Sequence, residues 1–361
     1  MTIRTPFGGT LRSAEDLARA GLVTEEARPG LDAVAARYAV AITPAMADLI
    51  EPDLPDDPIA RQFVPDAAEL DTAPEEMADP IGDIAHSPVA GIVHRYPDRV
   101  LLKPLHVCPV YCRFCFRREM VGPEGMGNLG PEEMDAALAY IAGQPNIWEV
   151  VVTGGDPLIL SSRRIGELLA RLAAIPQVKV VRFHSRVPVV DPGRVTGELT
   201  AALRAGGRLA VYVVLHANHA RELTVEARAA CARLVDAGVP MLSQSVLLRG
   251  VNDSAEALED LLRVLVETRI KPYYLHHPDL APGTGHFRVS IAQGQALMRA
   301  LRGRVSGLCQ PTYVLDLPGG HGKSPLGPSY ATPLEGEPGR HLVEDYDGQV
   351  HRYPPEAAPE G

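Results

Sequence analysis

Residues 100–115 read VLLKPLHVCPVYCRFC, a short apolar run followed by three cysteines within eight residues. The run is typical of a buried strand, so Cys108, Cys112 and Cys115 are predicted to lie on the loop that follows it. The chain has five cysteines in all and no secretory pattern at its start, which argues against a disulfide framework. Three thiols this close together favour a soft metal centre.

Similar apolar runs recur along the chain. They are VLLKP near residue 100, WEVVVT near 150, VKVVRF near 180, RLAVYVVL near 211, PMLSQSVL near 241, KPYYLH near 272 and PTYVLDL near 312. Helix-like segments with start and stop signals lie between them, over 131–143, 191–206 and 224–238 and after Asp253. Spacings of about 30 residues are those of β/α units. The pattern therefore predicts an α/β fold with a parallel sheet that forms a barrel or part of one.

Composition narrows the class of protein. Hydrophobic residues make up 46% of the chain and charged residues 22%, as expected of a folded soluble protein. The net charge of -10 argues against general binding to nucleic acid or to an anionic membrane. No apolar run approaches the roughly 20 residues of a membrane helix, so a cytoplasmic location is expected.

In barrels of this kind the chemistry lies on loops after the C-terminal ends of the strands, and polar residues of this chain gather there. After the three cysteines, the successive strands are followed by Gly154, Gly155 and Asp156, by His184 and Arg186, by His216, Asn218 and His219, by Gln244, by His276, His277 and Asp279, and by Asp316 with a loop ending in Lys323.

Two kinds of metal centre suit the cysteines. A structural zinc needs a fourth ligand, which would have to be His106, Cys231 or Cys309. An iron–sulfur cluster held by three cysteines leaves one iron free to bind a ligand. The glycines of Gly154-Gly155-Asp156 would let the backbone approach such a ligand closely.

Lysine is rare in this chain, with four residues against 31 arginines. Lys323 ends the segment DLPGGHGK, and a lysine on such a loop can form a Schiff base with pyridoxal phosphate (PLP) or a carbonyl substrate. The alternative is an ordinary surface lysine in a turn.

The spacing Cys-x3-Cys-x2-Cys after the first barrel strand is similar to that of radical S-adenosylmethionine (SAM) enzymes. The chain more narrowly resembles the lysine 2,3-aminomutase family, which also includes enzymes that supply β-lysine for elongation factor P. The resemblance runs from about Asp57 to about Tyr330. Its motifs are DPIARQFVP, HRYPDRVLLKP, CPVYCRFCFRR, TGGDPL, LHANH, YYLHHPDLAPGTGHFR and DLPGGHGKSPL.

Residues 1–88 are rich in alanine, proline and acidic residues, which predicts a helical N-terminal extension. The resemblance implies a partial (β/α)6 TIM-like radical SAM barrel over 89–305 and a C-terminal segment with the PLP lysine over 306–361. It implies a role for each matching residue. Cys108, Cys112 and Cys115 would bind a [4Fe-4S] cluster; Gly154, Gly155, Asp156, His216 and Gln244 would lie at SAM; Arg95, Tyr96 and Arg99 would bind the PLP phosphate; Lys323 would bind PLP covalently; Arg117 would hold the substrate carboxylate; and Asp279 and Asp316 would hold its distal ammonium.

The implied reaction converts L-α-lysine to L-β-lysine by amino migration, through a 5′-deoxyadenosyl radical. An electron donor such as flavodoxin or ferredoxin would reduce the cluster, and a homo-oligomer is expected. Alternatives are an aminomutase for another amino acid, a supplier of β-lysine for elongation factor P, and a metal-stabilised binding module without catalysis. The sequence has no cysteine after Cys309, so the C-terminal zinc site of longer relatives is expected to be missing.

Overall fold

The computed structural model of the protein describes residues 8–122 and 127–355. Within these ranges the main element is a sheet of nine strands that follow one another in chain order. The strands are β1 (Ile92–Tyr96), β2 (Arg99–Leu105), β3 (Glu149–Gly154), β4 (Val180–Ser185), β5 (Ala210–His216), β6 (Met241–Val246), β7 (Ile270–His276), β8 (Thr312–Leu317) and β9 (Gly322–Pro325). Strands β2 to β8 are parallel, while β1 and β9 lie antiparallel at the two edges. The predicted partial barrel is confirmed.

Helices connect the parallel strands, which makes six β/α units. In the described ranges the α-helices are α1 (Ala14–Arg19), α2 (Arg28–Arg37), α3 (Pro44–Ala47), α4 (Ala60–Phe63), α5 (Pro131–Ala142), α6 (Ser162–Ala173), α7 (Val187–Val190), α8 (Gly197–Arg204), α9 (Val225–Asp236), α10 (Ala255–Glu267) and α11 (Ile291–Leu301). The expected helices at 131–143, at 224–238 and after Asp253 correspond to α5, α9 and α10. None of the described helices is long and apolar enough to cross a bilayer.

The helix expected over 191–206 begins six residues later than predicted. Thr196 has an extended backbone, and its hydroxyl accepts a hydrogen bond from the N–H of Leu199 at 3.2 Å. This contact caps the N-terminus of α8. Pro192 ahead of it has no N–H to donate, and it lies in a short 3-10 turn over Pro192–Arg194.

Alternate residues of the barrel strands face opposite ways. On β3, Val150 and Val152 pack into the main hydrophobic core with the helices, while Val151 and Thr153 face an internal cavity. On β4 the corresponding pattern puts Phe183 in the core and His184 in the cavity. This alternation follows from the two-residue period of a strand. It sends the polar side chains of the strands into the lumen.

The N-terminal segment packs against the cysteine loop. Its first helix begins with a capping box, in which the Ser13 hydroxyl accepts from the N–H of Asp16 at 3.0 Å and the Asp16 carboxylate accepts from the N–H of Ser13 at 3.1 Å. The N–H of Tyr111, between the cysteines, donates to the carbonyl of Ala41 at 3.1 Å. This predicted extension therefore forms one wall of the barrel mouth, although its residues 1–7 lie outside the described ranges.

The predicted boundary at 305/306 falls within one continuous sheet, because β8 and β9 follow it. A separate antiparallel sheet comes next, with β10 (Ala331–Pro333), β11 (His341–Glu344) and β12 (Val350–Tyr353). Arg299 of α11 pairs with Glu344 of this sheet at 3.3 Å. The last residues of the predicted C-terminal segment, 356–361, lie outside the described ranges.

Gly294 of α11 should not tolerate a side chain. A Cβ atom there would lie 2.0 Å from the hydroxyl oxygen of Tyr313, on the buried strand β8. We expect Gly294→Ala to lower the free energy of unfolding by about 1–3 kcal/mol through overpacking. Gly166 of α6 is the matched control, because its Cβ would meet only Ala205, at 3.9 Å. Thermal unfolding followed by circular dichroism should show a loss for the first variant and none for Gly166→Ala. Equal melting temperatures would contradict the packing argument.

Candidate active site

The lumen of the barrel contains a cavity of about 560 Å³. It brings together every residue to which the family resemblance gives a role. Its lining includes Cys108, Cys112, Cys115, Gly154, Gly155, Asp156, His216, Gln244, Arg95, Tyr96, Arg99, Arg117, Asp279, Asp316 and Lys323. These residues come from both edges of the sheet and from most of the strands between, so the barrel itself assembles the site.

The cysteine loop and the glycine turn are packed directly on each other. The N–H of Gly155 donates to the carbonyl of Leu105 at 2.7 Å, and the N–H of Asp156 donates to that of Val107 at 3.0 Å. A Cβ atom at Gly155 would lie only 2.2 Å from the Val107 carbonyl oxygen. Glycine is therefore required there by the close approach of two backbones.

The carboxylate of Asp156 serves the fold. It accepts the Ser185 hydroxyl at 2.7 Å and the N–H groups of Leu158, Arg186 and Val187 at 3.0, 2.7 and 3.2 Å. These contacts tie the end of β3 to the end of β4. Any contact of this turn with a ligand is therefore left to its backbone groups.

The three cysteines of the loop are half-buried. Burial raises the pKa of Cys108 and raises that of Cys115 to about 11, so a metal must displace their protons. In the described residues, no three His, Cys, Asp or Glu side chains are arranged to hold a single metal ion. An all-thiol set on one loop is a donor set that fits an iron–sulfur cluster.

The loop is anchored by a residue that the sequence did not indicate. Glu69 is fully buried and accepts from Nε of Arg113 at 2.9 Å and from Nη2 of Arg113 at 2.6 Å. Its Oε2 also pairs with Arg118, whose guanidinium lies over the Tyr38 ring at 3.5 Å. Arg113 and Arg118 flank Cys115. The carboxylate of Glu69, 44 residues before Arg113 in the chain, thus holds the cysteine loop in place.

Two histidines at neighbouring strand ends face the cavity with an unpaired nitrogen. Within the described residues, Nε2 of His184 and Nε2 of His216 are buried and have no hydrogen-bond partner. Burial lowers the pKa of both side chains well below the usual histidine value, so both are neutral. His216 was predicted to lie near SAM. His184 had no assigned role, and its unpaired nitrogen makes it a second candidate for ligand contact.

Lys323 and Asp316 face each other across a hairpin. They are cross-strand partners of β8 and β9, because the glycine-rich loop between them forms a tight turn. Nζ of Lys323 lies 2.6 and 2.8 Å from the two oxygens of Asp316. The backbone N–H of Lys323 donates to the hydroxyl of Tyr96 at 2.7 Å, which joins the two edge strands β1 and β9. The lysine is therefore fixed from two directions.

The two cavity aspartates ionise in different pH ranges. Burial works against ionisation of Asp316, but a hydrogen bond from His276 and the charge of Lys323 lower its pKa far below the ordinary value. Burial, together with the negative charge of Asp316, raises the pKa of Asp279 to about 7. An added cation beside Asp279 would favour its charged form.

Positive charge collects near the other edge of the sheet, around a second carboxylate that the sequence did not indicate. Asp83 is buried, and its oxygens lie 3.0 Å from Nε of Arg117, 3.4 Å from Nη2 of Arg95 and 3.6 Å from Nζ of Lys103. Three cations share one anion, which leaves an excess of positive charge beside the cavity. One residue of the sequence indicates such an anion. Lys103 is a rare lysine within a buried strand, and a buried lysine needs an anionic partner.

The predicted phosphate-binding residues also lie at this edge. Arg95 donates to the carbonyl of Ile81 at 2.5 Å, and Arg99 pairs with Asp98 at 2.7 Å while lying over the Tyr96 ring at 3.8 Å. Arginine and a tyrosine hydroxyl are suitable partners for a phosphate. Their position on the same cavity as Lys323 fits a PLP-sized group.

A partial barrel with this cysteine loop at its mouth defines a radical SAM enzyme. The sequence agrees, because residues 102–263 match the model of the Radical SAM superfamily. Residues 298–360 match the family model described as Lysine-2,3-aminomutase.

Individual relatives identify the family more narrowly. The chain is 39% identical over 343 residues to L-lysine 2,3-aminomutase of Clostridium subterminale, covering 95% of this chain and 81% of the relative. It is 38% identical to the L-lysine 2,3-aminomutase of Bacillus subtilis, covering 96% and 72%. It is also 34% identical to the glutamate 2,3-aminomutase of Clostridioides difficile, covering 89% and 75%. The chain belongs to the lysine 2,3-aminomutase family of radical SAM isomerases. The cofactors of this family are a [4Fe-4S] cluster, SAM and PLP.

Replacing Glu69 by Gln should weaken the metal loop. The change leaves Arg113 and Arg118 buried without a counter-charge, and we expect a loss of about 3–5 kcal/mol in the free energy of unfolding. Denaturant titration measures this loss, and iron analysis after anaerobic reconstitution should show less bound cluster. Glu15→Gln is the control, because Glu15 pairs with Arg19 on the exposed surface. Full iron content and unchanged stability in the Glu69 variant would refute the anchoring role.

Proposed function

We propose that this enzyme converts L-α-lysine to L-β-lysine by moving the amino group from C2 to C3. The observation that carries the proposal is the pair Asp316 and Asp279 in one cavity. Asp316 already holds a primary ammonium there, that of Lys323. Asp279 is the second carboxylate on the same wall, close enough for the charge of Asp316 to raise its pKa. Such a pair suits a substrate that carries a second ammonium group.

We propose for the site residues the roles that the resemblance implies, and their shared cavity supports these roles. Cys108, Cys112 and Cys115 hold the cluster, and Lys323 is the covalent anchor of PLP. The remaining roles are SAM contact by Gly154, Gly155, Asp156, His216 and Gln244, phosphate contact by Arg95, Tyr96 and Arg99, and contact with the substrate carboxylate by Arg117. Arg117 is suited to this because Asp83 fixes its guanidinium and the surrounding cations leave the site positive.

When bound, the cluster and SAM supply a radical that removes and returns a hydrogen atom, and PLP supplies the π-system that lets the nitrogen migrate. The protein residues orient the substrate from both ends. Arg117 binds its carboxylate while the aspartates bind its distal ammonium, so C2 and C3 are held in place. A small one-electron carrier of the ferredoxin or flavodoxin class is the proposed electron donor.

Glutamate is disfavoured as the substrate by charge. Its side-chain carboxylate would have to lie beside Asp316, which is buried and ionised. Two neighbouring carboxylates repel each other, and Lys323 is the one cation among the described residues that pairs with Asp316. Supply of β-lysine for protein modification uses the same reaction and is therefore included in the proposal.

The proposal is tested by incubating the anaerobically reconstituted enzyme, with SAM, PLP and a reductant, with lysine, glutamate or alanine. We expect β-lysine from lysine and no β-amino acid from the other two. A β-amino acid from glutamate or alanine, with none from lysine, would refute the proposed substrate.

Lys323→Ala should abolish the absorbance band of bound PLP and all aminomutase turnover, because the covalent anchor is lost. Cluster absorbance and reductive cleavage of SAM should remain, since the cysteine loop does not touch this residue in the structure. Lys179→Ala is the control, because Lys179 lies on the surface and contacts Pro176. Persistent turnover in the Lys323 variant would show that another residue anchors PLP.

Lysine binding should strengthen with pH because Asp279 titrates. Its pKa of about 7 means that it is mostly protonated at pH 6 and mostly charged at pH 8. If the ammonium binds only the charged form, affinity should rise by about tenfold between these pH values. Equilibrium dialysis measures the ratio. In Asp279→Asn the affinity should be lower and this part of the pH dependence absent. An equal ratio of lysine affinities at pH 8 and pH 6 in the wild type and in Asp279→Asn would contradict the assignment of the titrating group to Asp279.

A further inference from the structure

Arg186 is a buried arginine that the proposed reaction does not use. It follows β4, is 5% exposed, and its guanidinium lies between the rings of Phe63 and Phe114, 4.6 and 5.5 Å from their centroids. A buried cation of this kind is costly unless anions or acceptors surround it. The groups that Arg186 contacts therefore indicate its role.

One of these contacts is a cysteine of the metal loop. Nη1 of Arg186 lies 2.8 Å from Sγ of Cys112. Nη2 lies 2.7 Å from Oε2 of Glu222 and 2.5 Å from Oε1 of Gln62. Among the described residues, Cys112 is the one loop cysteine whose sulfur accepts a side-chain hydrogen bond. The guanidinium thus bridges a sulfur on one side and a carboxylate on the other.

The carboxylate side of this bridge is rigid. Glu222 is fully buried, and its Oε1 accepts the N–H groups of Asn218 and His219 at 2.9 and 3.0 Å. Gln62 donates to the same oxygen at 3.2 Å and to the carbonyl of Pro58 at 3.0 Å. Both acceptors of Nη2 are therefore locked, so Nη1 is held in place at the sulfur.

Other arginines near the loop are arranged differently. Arg113 and Arg118 direct their guanidinium groups to Glu69, and Arg117 directs its Nε to Asp83. Arg186 alone, of these four, adds a positive charge directly at a cysteine sulfur. Hydrogen bonds to the sulfur ligands of an iron–sulfur cluster are among the features that set its reduction potential.

We propose that Arg186 is a positioning residue that raises the reduction potential of the cluster through its hydrogen bond to Cys112, with Glu222 opposing it. In the reduction, one electron passes from a low-potential donor to the cluster and no proton moves. The cluster gains one negative charge, which the guanidinium stabilises and the carboxylate destabilises. The inference goes beyond the proposed function, because it concerns cluster reduction and holds for any substrate.

Two variants separate the two charges. Glu222→Gln keeps the shape of the side chain and removes the opposing charge, so the potential should rise. Arg186→Met combined with Glu222→Gln removes the sulfur contact as well, without leaving either charge buried alone. We expect the double variant to favour the oxidised cluster by at least tenfold relative to Glu222→Gln, a shift of about 59 mV for one electron.

The measurement is a redox titration of the anaerobically reconstituted enzyme with dithionite, without SAM or substrate, followed by the electron paramagnetic resonance signal of the reduced cluster. Arg182→Gln is the control, because Arg182 lies on β4, the strand that Arg186 follows, and pairs with Glu149 without a hydrogen bond to a sulfur. Its potential should match the wild type. Equal potentials for Glu222→Gln and the double variant would overturn the proposal. If the double variant binds no cluster, Glu222→Gln decides alone, and an unchanged potential overturns it.

Discussion

The active site depends on the pairing of one buried carboxylate with two arginines. Glu69 comes from the N-terminal segment, while Arg113 and Arg118 come from the cysteine loop. The loop has little regular structure of its own, so its shape must be imposed from outside. A buried ion pair is a strong directional constraint, because each partner left alone would be an uncompensated charge. The position of the metal loop therefore depends on the N-terminal segment folding onto the barrel.

The same principle gives the cavity two electrically distinct ends. Near β1 and β2, Arg95, Lys103 and Arg117 outnumber the single carboxylate Asp83. Near β7 and β8, Asp316 and the ionised form of Asp279 outnumber Lys323. A ligand with a carboxylate at one end and an ammonium at the other satisfies both imbalances at once. This charge distribution favours lysine, whose side chain ends in an ammonium, over glutamate, whose side chain ends in a carboxylate.

Much of this arrangement could be predicted from local sequence. The strands, most helices and the cavity position of residues such as Cys108, Gly155 and His216 follow from the two-residue period of strands and the rule that polar residues gather at their C-terminal ends. The expected positions of Arg95, Tyr96 and Arg99 rest only on the family resemblance. The pairing of Asp316 with Lys323 is also local, since seven residues and a glycine-rich turn bring them together. The start of α8 was misjudged because Thr196 was not recognised as the cap.

The sequence does not predict the buried partners that hold the cysteine loop, Arg117 and Arg186 in place. Glu69 and Asp83 lie in the N-terminal segment outside the quoted motifs, and Gln62 lies in DPIARQFVP without any sign of its partner. Each takes its role from contacts with residues 12 or more positions away along the chain, such as Arg113, Arg95 or Arg186. Sequence periodicity carries no information on such contacts. Because all three lie within residues 62–83, this segment is part of the active site, although its composition indicated only a helical extension.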